Sequence, residues 1–440
     1  MLAFGALAAA PALAAAQRTE HVAPPSPADT ESIDAVFGRL RVAEAAHDTA
    51  ASERAARAVL AHMPSHPTAV FLAARGRALI RDSAGALDLL ERLAALGDVR
   101  PVEEMSEFAA LRTLPRFRRV VSRLEANRRP LTAGEVVLTL PDADFLPESF
   151  ALDSATGEYY VGSLTRRMLV RIKPGADGSE RMDTLAGPAD GLLRVVGIEL
   201  DRARDRLWFA TWSPPVDSAS SPAQRITHTR LFSYDRTSRR LRRYVPADSL
   251  HPHLFNDIVV AANGDVYVTD TAEGTVWTLR AGSDALEQFT RCAPWSLTGA
   301  NGIALSGDGR RLYVAFSAGI GAVDLQTREV RLLPTPTDVT TSGVDGVYWY
   351  RGSLVAVQGL GTDERVVRFR LDPSGLRVTG ARVLERGAPV LKRPTTGMIV
   401  GDALYYIPDA QYDRLGLDGR LAERSDATRS TIRRVRLGGR

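Results

Sequence analysis

The chain has 440 residues, a formal charge of +4 and a single cysteine, Cys292. Its slight excess of base is carried by arginine, since Lys173 and Lys392 are the only lysines, and it shows no concentrated basic field of the kind that nucleic acid needs. One cysteine allows no intrachain disulfide, and the length predicts two or three domains.

Residues 1–16 open with "MLAFGALAAAPALAAA". The apolar run ends in Ala12-Leu13-Ala14, a small-x-small cleavage pattern, and reads as a secretory signal peptide. It is too short to cross a bilayer, which takes about 20 apolar residues, and no later segment is long enough. The expectation is an exported protein, periplasmic or secreted, with no membrane span. Residues 17–32 contain "HVAPPSPADTES" and read as a Pro-rich linker.

From 33 to 128 the sequence is rich in Ala, Leu, Arg and Glu, with apolar residues at helical spacing. "HPTAVFLAARGRALIRDSAGALDLLERLAALG" (66–97) predicts two amphipathic helices broken near Asp82-Ser83. The stretch is weakly similar to a tetratricopeptide helical hairpin, with Ala74 and Ala86 at small-residue packing positions. Only one or two such units fit, fewer than an independent solenoid wants. The region is expected to be a helical cap or a module that docks a protein partner, with generic helix pairing as the plainer alternative. "RFRRVVSRLEANRRP" (116–130) reads as a charged helix face.

From 131 to 440 helical spacing gives way to short alternating runs separated by Gly, Asp and Asn turns. Six stretches align: "PESFALDSATGEYYVGS" (147–163), "VVGIELDRARDRLWFATW" (195–212), "FNDIVVAANGDVYVTDT" (255–271), "ANGIALSGDGRRLYVAFS" (300–317), "VDGVYWYRGSLVAVQG" (344–359) and "TTGMIVGDALYYIPD" (395–409). Each is a strand, a tight turn and a second strand, with Tyr or Trp in the second strand of all but 344–359. Their spacing is that of a four-stranded propeller blade. The predicted fold is mainly β, a six-bladed β-propeller preceded by a small all-α helical-hairpin region. "EVVLTL" (135–140) and "TIRRVRL" (431–437) are expected to share the closing blade and seal the ring. "TSRRLRRY" (237–244) reads as a charged outer strand.

The first strand of each blade lines the central channel. The second residue of the six stretches is Glu148, Val196, Asn256, Asn301, Asp345 and Thr396. Two carboxylates and two amides therefore converge at one level. Crowded carboxylates repel, and desolvating each costs several kcal/mol unless it is offset. Either one is protonated or a cation lies between them. Hard oxygen donors with two negative charges suit Ca²⁺, with Mg²⁺ or Mn²⁺ as alternatives, and a closed structural zinc site is disfavoured. The second strand returns to the same face, which predicts Ser163, Thr269, Asp270, Gln358 and Asp409 near the mouth. Asp270 is expected either to contact substrate or to cap a turn.

The four stretches at 147–163, 255–270, 300–316 and 344–358 resemble the gluconolactonase and senescence-marker-protein (regucalcin) family of six-bladed propellers. The resemblance covers about 300 residues, from Glu135 onward. It implies a divalent ion, Ca²⁺ foremost with Mg²⁺, Mn²⁺ or Zn²⁺ as alternatives, bound by Glu148, Asn301 and Asp345. It further implies that Asn256 contacts substrate or a metal-bound water and that Asp345 carries the proton. Sugar-lactone members have an Arg two residues before that Asn, and here the position is Leu254. Aldonolactones are therefore disfavoured. His251 and His253 lie nearby and are read as surface histidines.

The expected function is a metal-dependent hydrolase of a lactone or related ester, with Asp345 as catalytic base and Asn256, Asp270 and Gln358 toward the substrate. The alternative is a non-catalytic propeller that binds a ligand or protein around a structural Ca²⁺ ion. No Gly-x-Ser-x-Gly elbow occurs, which argues against Ser–His–Asp chemistry. Cys292 is read as a buried thiol.

Overall fold

The computed structural model describes residues 33–175, 180–213, 228–247, 251–290, 296–359, 364–416, 421–422 and 428–438. The expected signal peptide, the linker and Cys292 lie outside these residues.

Five helices come first: α1 (Ile33–Ala45), α2 (Thr49–His62), α3 (Pro67–Leu79), α4 (Ser83–Ala95) and α5 (Pro115–Arg128). Side chains cap the starts of three of them. Asp48 accepts from Ala51 N at 2.9 Å, His66 Nδ1 from Ala69 N at 3.2 Å and Asp82 from Gly85 N at 2.9 Å. The break between α3 and α4 falls at Asp82, where the spacing predicts it. Val70, Ala74, Ala86, Leu90 and Leu93 pack with Phe108, Phe117 and Leu124 in a core of the helices' own.

The opposite face of the helices packs on the propeller. Val36, Leu40, Val59, Met63 and Leu72 share one core with Ile303, Leu312, Val314 and Phe316. Ser65 Oγ donates to Pro336 O at 3.0 Å, and Arg365 Nη1 donates to Leu96 O at 3.2 Å. Residues 32–440 accordingly form one compact unit.

The strands build six four-stranded antiparallel sheets. Blade 1 runs from Phe150–Asp153 to Glu180–Ala186, blade 2 from Arg194–Asp201 to Leu241–Tyr244 and blade 3 from Phe255–Val260 to Leu286–Gln288. Blade 4 runs from Ile303–Leu305 to Val330–Leu332, and blade 5 from Val344–Tyr350 to Val378–Arg386. Blade 6 takes Gly397–Val400, Ala403–Tyr406 and Thr431–Arg436, then receives Glu135–Thr139 as its outermost strand. Both ends of the propeller thus meet in one sheet, and no blade is left with an open ring edge. Glu385 of blade 5 braces this closure. It pairs with Arg433 at 2.6 Å and accepts from Tyr406 Oη at 2.9 Å.

Every blade junction has its own apolar cluster, as at Phe209, Phe232 and Tyr160 between blades 1 and 2. Near the channel the junctions are also closed by hydrogen bonds in a complete circuit. Ile198 N donates to Ser149 Oγ (3.1 Å), Phe255 N to Thr229 Oγ1 (2.9 Å) and Thr269 Oγ1 to Asn301 O (2.7 Å). Gly302 N donates to Asp345 O (2.8 Å), Gly397 N to Tyr348 Oη (2.5 Å) and Thr396 Oγ1 to Glu148 O (2.6 Å). The circuit runs through the backbone of Glu148, Asn301 and Asp345, so the positions of these residues are set by the ring itself.

Candidate functional site

Three inner strands carry a β-bulge near their start. Pairing slips between Val195 and Ile198, between Phe255 and Ile258 and between Val344 and Val347. A bulge leaves extra residues unpaired and turns the strand locally. Asn256, Asp257 and Asp345 lie within these slips. Glycine beside these positions lets the neighbouring blades approach. A Cβ on Gly197 would collide with Asn256 O, and one on Gly302 would collide with Asp345 O and lie 2.6 Å from Val347 N.

Glu148 and Asp345 come together across the ring. Both are buried, at 8% and 2% exposure. Burial pushes the Glu148 carboxyl well above its usual range, and the Asp345 charge adds to this. Burial also raises Asp345, to about 6, while hydrogen bonds from the Thr395 and Asn301 side chains pull it back. Asn301 is therefore in direct contact with Asp345. The remaining expected rim amide, Asn256, donates from Nδ2 to Thr271 Oγ1 at 3.1 Å.

Asn256 Oδ1, Asn301 Oδ1 and Asp345 Oδ1 are buried and have no hydrogen-bond partner. Leaving such an acceptor unsatisfied costs about 1–3 kcal/mol. Asn301 touches Asp345, whose charge acts on Glu148, and Asn256 follows on the next blade; oxygens of this kind are the donors a hard divalent cation takes. Among the described residues no three His, Cys, Asp or Glu side chains cluster as ligands. A site here must complete what Glu148 and Asp345 begin with amide oxygens, and these residues fit that demand.

Two residues expected to contact substrate have hydrogen-bond partners within the protein. Asp270 Oδ2 lies 2.6 Å from His253 Nδ1, and its Oδ1 accepts from Leu254 N at 2.9 Å, Ala272 N at 3.2 Å and Glu273 N at 3.3 Å. The turn-cap alternative describes Asp270, with the added task of holding His253. Gln358 Nε2 donates to Thr340 O at 3.2 Å and Ser342 O at 2.9 Å, and its Oε1 accepts from Arg365 Nε at 2.8 Å. Both amide hydrogens brace the loop that leads into Asp345, which leaves neither for a substrate. His253 corrects the surface reading. It is 4% exposed and stands edge-on to Trp277 at 5.3 Å, whereas His251 is exposed. Of the other expected mouth residues, Ser163 Oγ donates to Phe145 O, Thr269 to Asn301 O, and Asp409 accepts from Gln411 N at 3.0 Å.

The channel holds acidic groups that the alignment of second residues does not reach. Asp257 is raised by burial to about 7 despite two backbone hydrogen bonds, and Asp345 pushes it further. Glu199 is raised to about 8 by burial and by the Asp257 charge. Tyr348 and Tyr412 face these charges, and their hydroxyls are pushed well above the ordinary tyrosine range, by burial first. Tyr412 hydrogen-bonds Glu148 and lies 3.2 Å from Thr395 Oγ1. The signal for Glu199 and Tyr348 is a three-residue step from Val196 and Asp345, because the bulge delays the return to the channel side. Tyr412 lies outside the repeat and has no such signal.

No family model matches the chain, and no curated protein does. Similar solved structures include a luciferin-regenerating enzyme, at 15% identity and a TM-score of 0.47, covering 70% of this chain and 95% of that one. Virginiamycin B lyase from Staphylococcus aureus is similar at 16% identity and a TM-score of 0.43, with 62% and 81% covered. A candidate gluconolactonase is similar at 13% identity and a TM-score of 0.45, with 69% and 91% covered. At these identities no substrate or reaction is carried over to this chain.

Proposed function

We propose that the protein is a divalent-metal-dependent hydrolase of lactones or related esters, with its site at the mouth of the propeller channel. The observation that supports this most is the coupled, buried Glu148–Asp345 pair with partnerless buried oxygens on Asp345 and on Asn301, which touches it. Glu148, Asn301 and Asp345 would hold the ion, and the all-oxygen set with two carboxylates favours Ca²⁺ over softer metals. When bound, such an ion supplies Lewis-acid polarisation and a more acidic water.

The chain's own residues do the rest. Asp345 takes a proton from the attacking water as the new C–O bond forms. It returns that proton to the alkoxide oxygen as the ester C–O bond breaks. Its carboxyl lies at about 6 in the metal-free protein, and a bound cation would favour its charged, proton-accepting form. Asn256 would meet the attacking water or a substrate hydroxyl through Oδ1, an acceptor with no partner in the protein. Tyr412 and Thr395 fix the Glu148 and Asp345 carboxyls from the rim. The apolar run at 1–16 supports export to the periplasm or beyond.

The test is hydrolysis of aryl acetates and γ-lactones with Ca²⁺, with chelator and for Asp345→Asn. Turnover should vanish in chelator, return with Ca²⁺ and fall about 10²- to 10⁴-fold in Asp345→Asn. Ion binding without metal-dependent turnover would instead support a non-catalytic, ligand-binding propeller.

A further inference from the structure

The helices close a cavity of about 300 Å³ against the propeller rim. One wall is helical: Phe37 of α1, and His66 and Thr68 at the start of α3. The other wall comes from the loops that deliver the candidate ligands. Gly299 lies two residues before Asn301, and Val344 immediately precedes Asp345. A second cavity of about 280 Å³ shares His66 and Ser342 with the first.

The lining is uncharged. Phe37, Phe316 and Pro67 supply apolar surface, and Thr68, Ser317 and Ser342 supply small polar groups. His66 belongs with the uncharged groups. Its Nδ1 accepts from Ala69 N, so Nε2 carries the ring proton. Burial foremost, then the nearby Arg100 charge, lowers its pKa to about 4, so the ring stays a neutral donor. The walls are also fixed in place. Ser65 is tied to Pro336 O and to Thr335, and Gln358 holds Ser342 O. A preformed space of this size lies at the lower end of small-molecule pockets, about 300–1,000 Å³.

We propose that this cavity is the subsite for an uncharged, largely apolar acyl or alkyl arm of the substrate, and that the helical segment thereby sets substrate size. The proposal rests on the hydrolase reading for the identity of the substrate. It assigns this face of the helices to the substrate rather than to a docked protein.

The test uses the full chain with Cys292→Ser and Ser342→Cys, labelled at position 342 with a trifluoromethyl ketone reagent. The fluorine resonance is followed while γ-lactones from butyrolactone to decalactone are added in Ca²⁺. A saturable shift that strengthens with chain length is expected. In parallel, Thr68→Trp, which fills the cavity, should lower kcat/KM for the longest lactone about tenfold and leave butyrolactone within about twofold. Saturable shifts with no hydrolysis by any form would keep the subsite and overturn the hydrolase reading. Hydrolysis with an unresponsive fluorine signal and a Thr68→Trp effect equal at all lengths would overturn the subsite. So would the absence of both shift and hydrolysis.

Discussion

Two buried carboxyls near enough to repel cannot both ionise cheaply without a cation. Glu148 and Asp345 are such a pair, and in the metal-free protein burial holds both above their usual range. Asp270 is the opposite case. It too is fully buried, yet three backbone N–H groups and His253 satisfy it. The two aspartates should therefore respond in opposite ways to substitution. Asp345→Asn removes a strained charge and should raise the metal-free melting temperature. Asp270→Ala strands buried donors and should cost about 3 kcal/mol or more of stability in urea unfolding, while the folded fraction keeps its turnover within a few-fold. A large kcat loss in folded Asp270→Ala, with KM and stability unchanged, would return Asp270 to the substrate.

At the scale of the strand, the bulges decide what faces the channel. Alternation reads Glu148, Asn256, Asn301 and Asp345 as rim residues because the repeat places them in register, and Glu148, Asn301 and Asp345 prove to be coupled. It fails just beyond them. Asp257 falls within a bulge, and Glu199 and Tyr348 lie one step past one. The fold is legible because strand, turn and strand recur six times, and the closing pair at 135–140 and 431–437 reads directly from its place at the two ends. Commitments such as Gln358 to Ser342 O are not legible, since they depend on where a loop runs. Gly302→Ala tests the element account. Its Cβ meets Asp345 O and Val347 N, where Gly302 N now donates to Asp345 O at 2.8 Å. The other five junctions keep the ring closed, so the far-ultraviolet spectrum should be unchanged while Ca²⁺ affinity falls about 10- to 100-fold. Gly38→Ala, in the helix α1 with open space around it, should leave affinity unchanged.

Across the whole molecule, the buried acidic groups couple stability to pH, and the proposed ion would share in that coupling. Asp345, Asp257 and Glu199 lie at about 6, 7 and 8 in the folded protein and at ordinary carboxyl values when unfolded. Folded protein therefore holds more protons than unfolded protein between these limits. Their contribution to stability is present below about pH 4 and is lost as pH rises toward about pH 8. In chelator the melting temperature should fall over that window. Ca²⁺ should reverse the fall, adding about 2.7 kcal/mol at a hundredfold excess over Kd, and should stabilise more at about pH 8 than at about pH 5. A metal-free melting temperature that rises over the window would count against buried, cation-seeking carboxyls.

The most direct measurement is calorimetric titration of chelator-treated protein with Ca²⁺ near neutral pH, on the native chain and on Glu148→Gln, Asp345→Asn and the peripheral Asp183→Asn. The account predicts a single ion per native chain, binding lost in the first two variants and intact in the third. Equal binding in all four proteins, or no binding of Ca²⁺, Mg²⁺ or Mn²⁺ to the native chain, would contradict it.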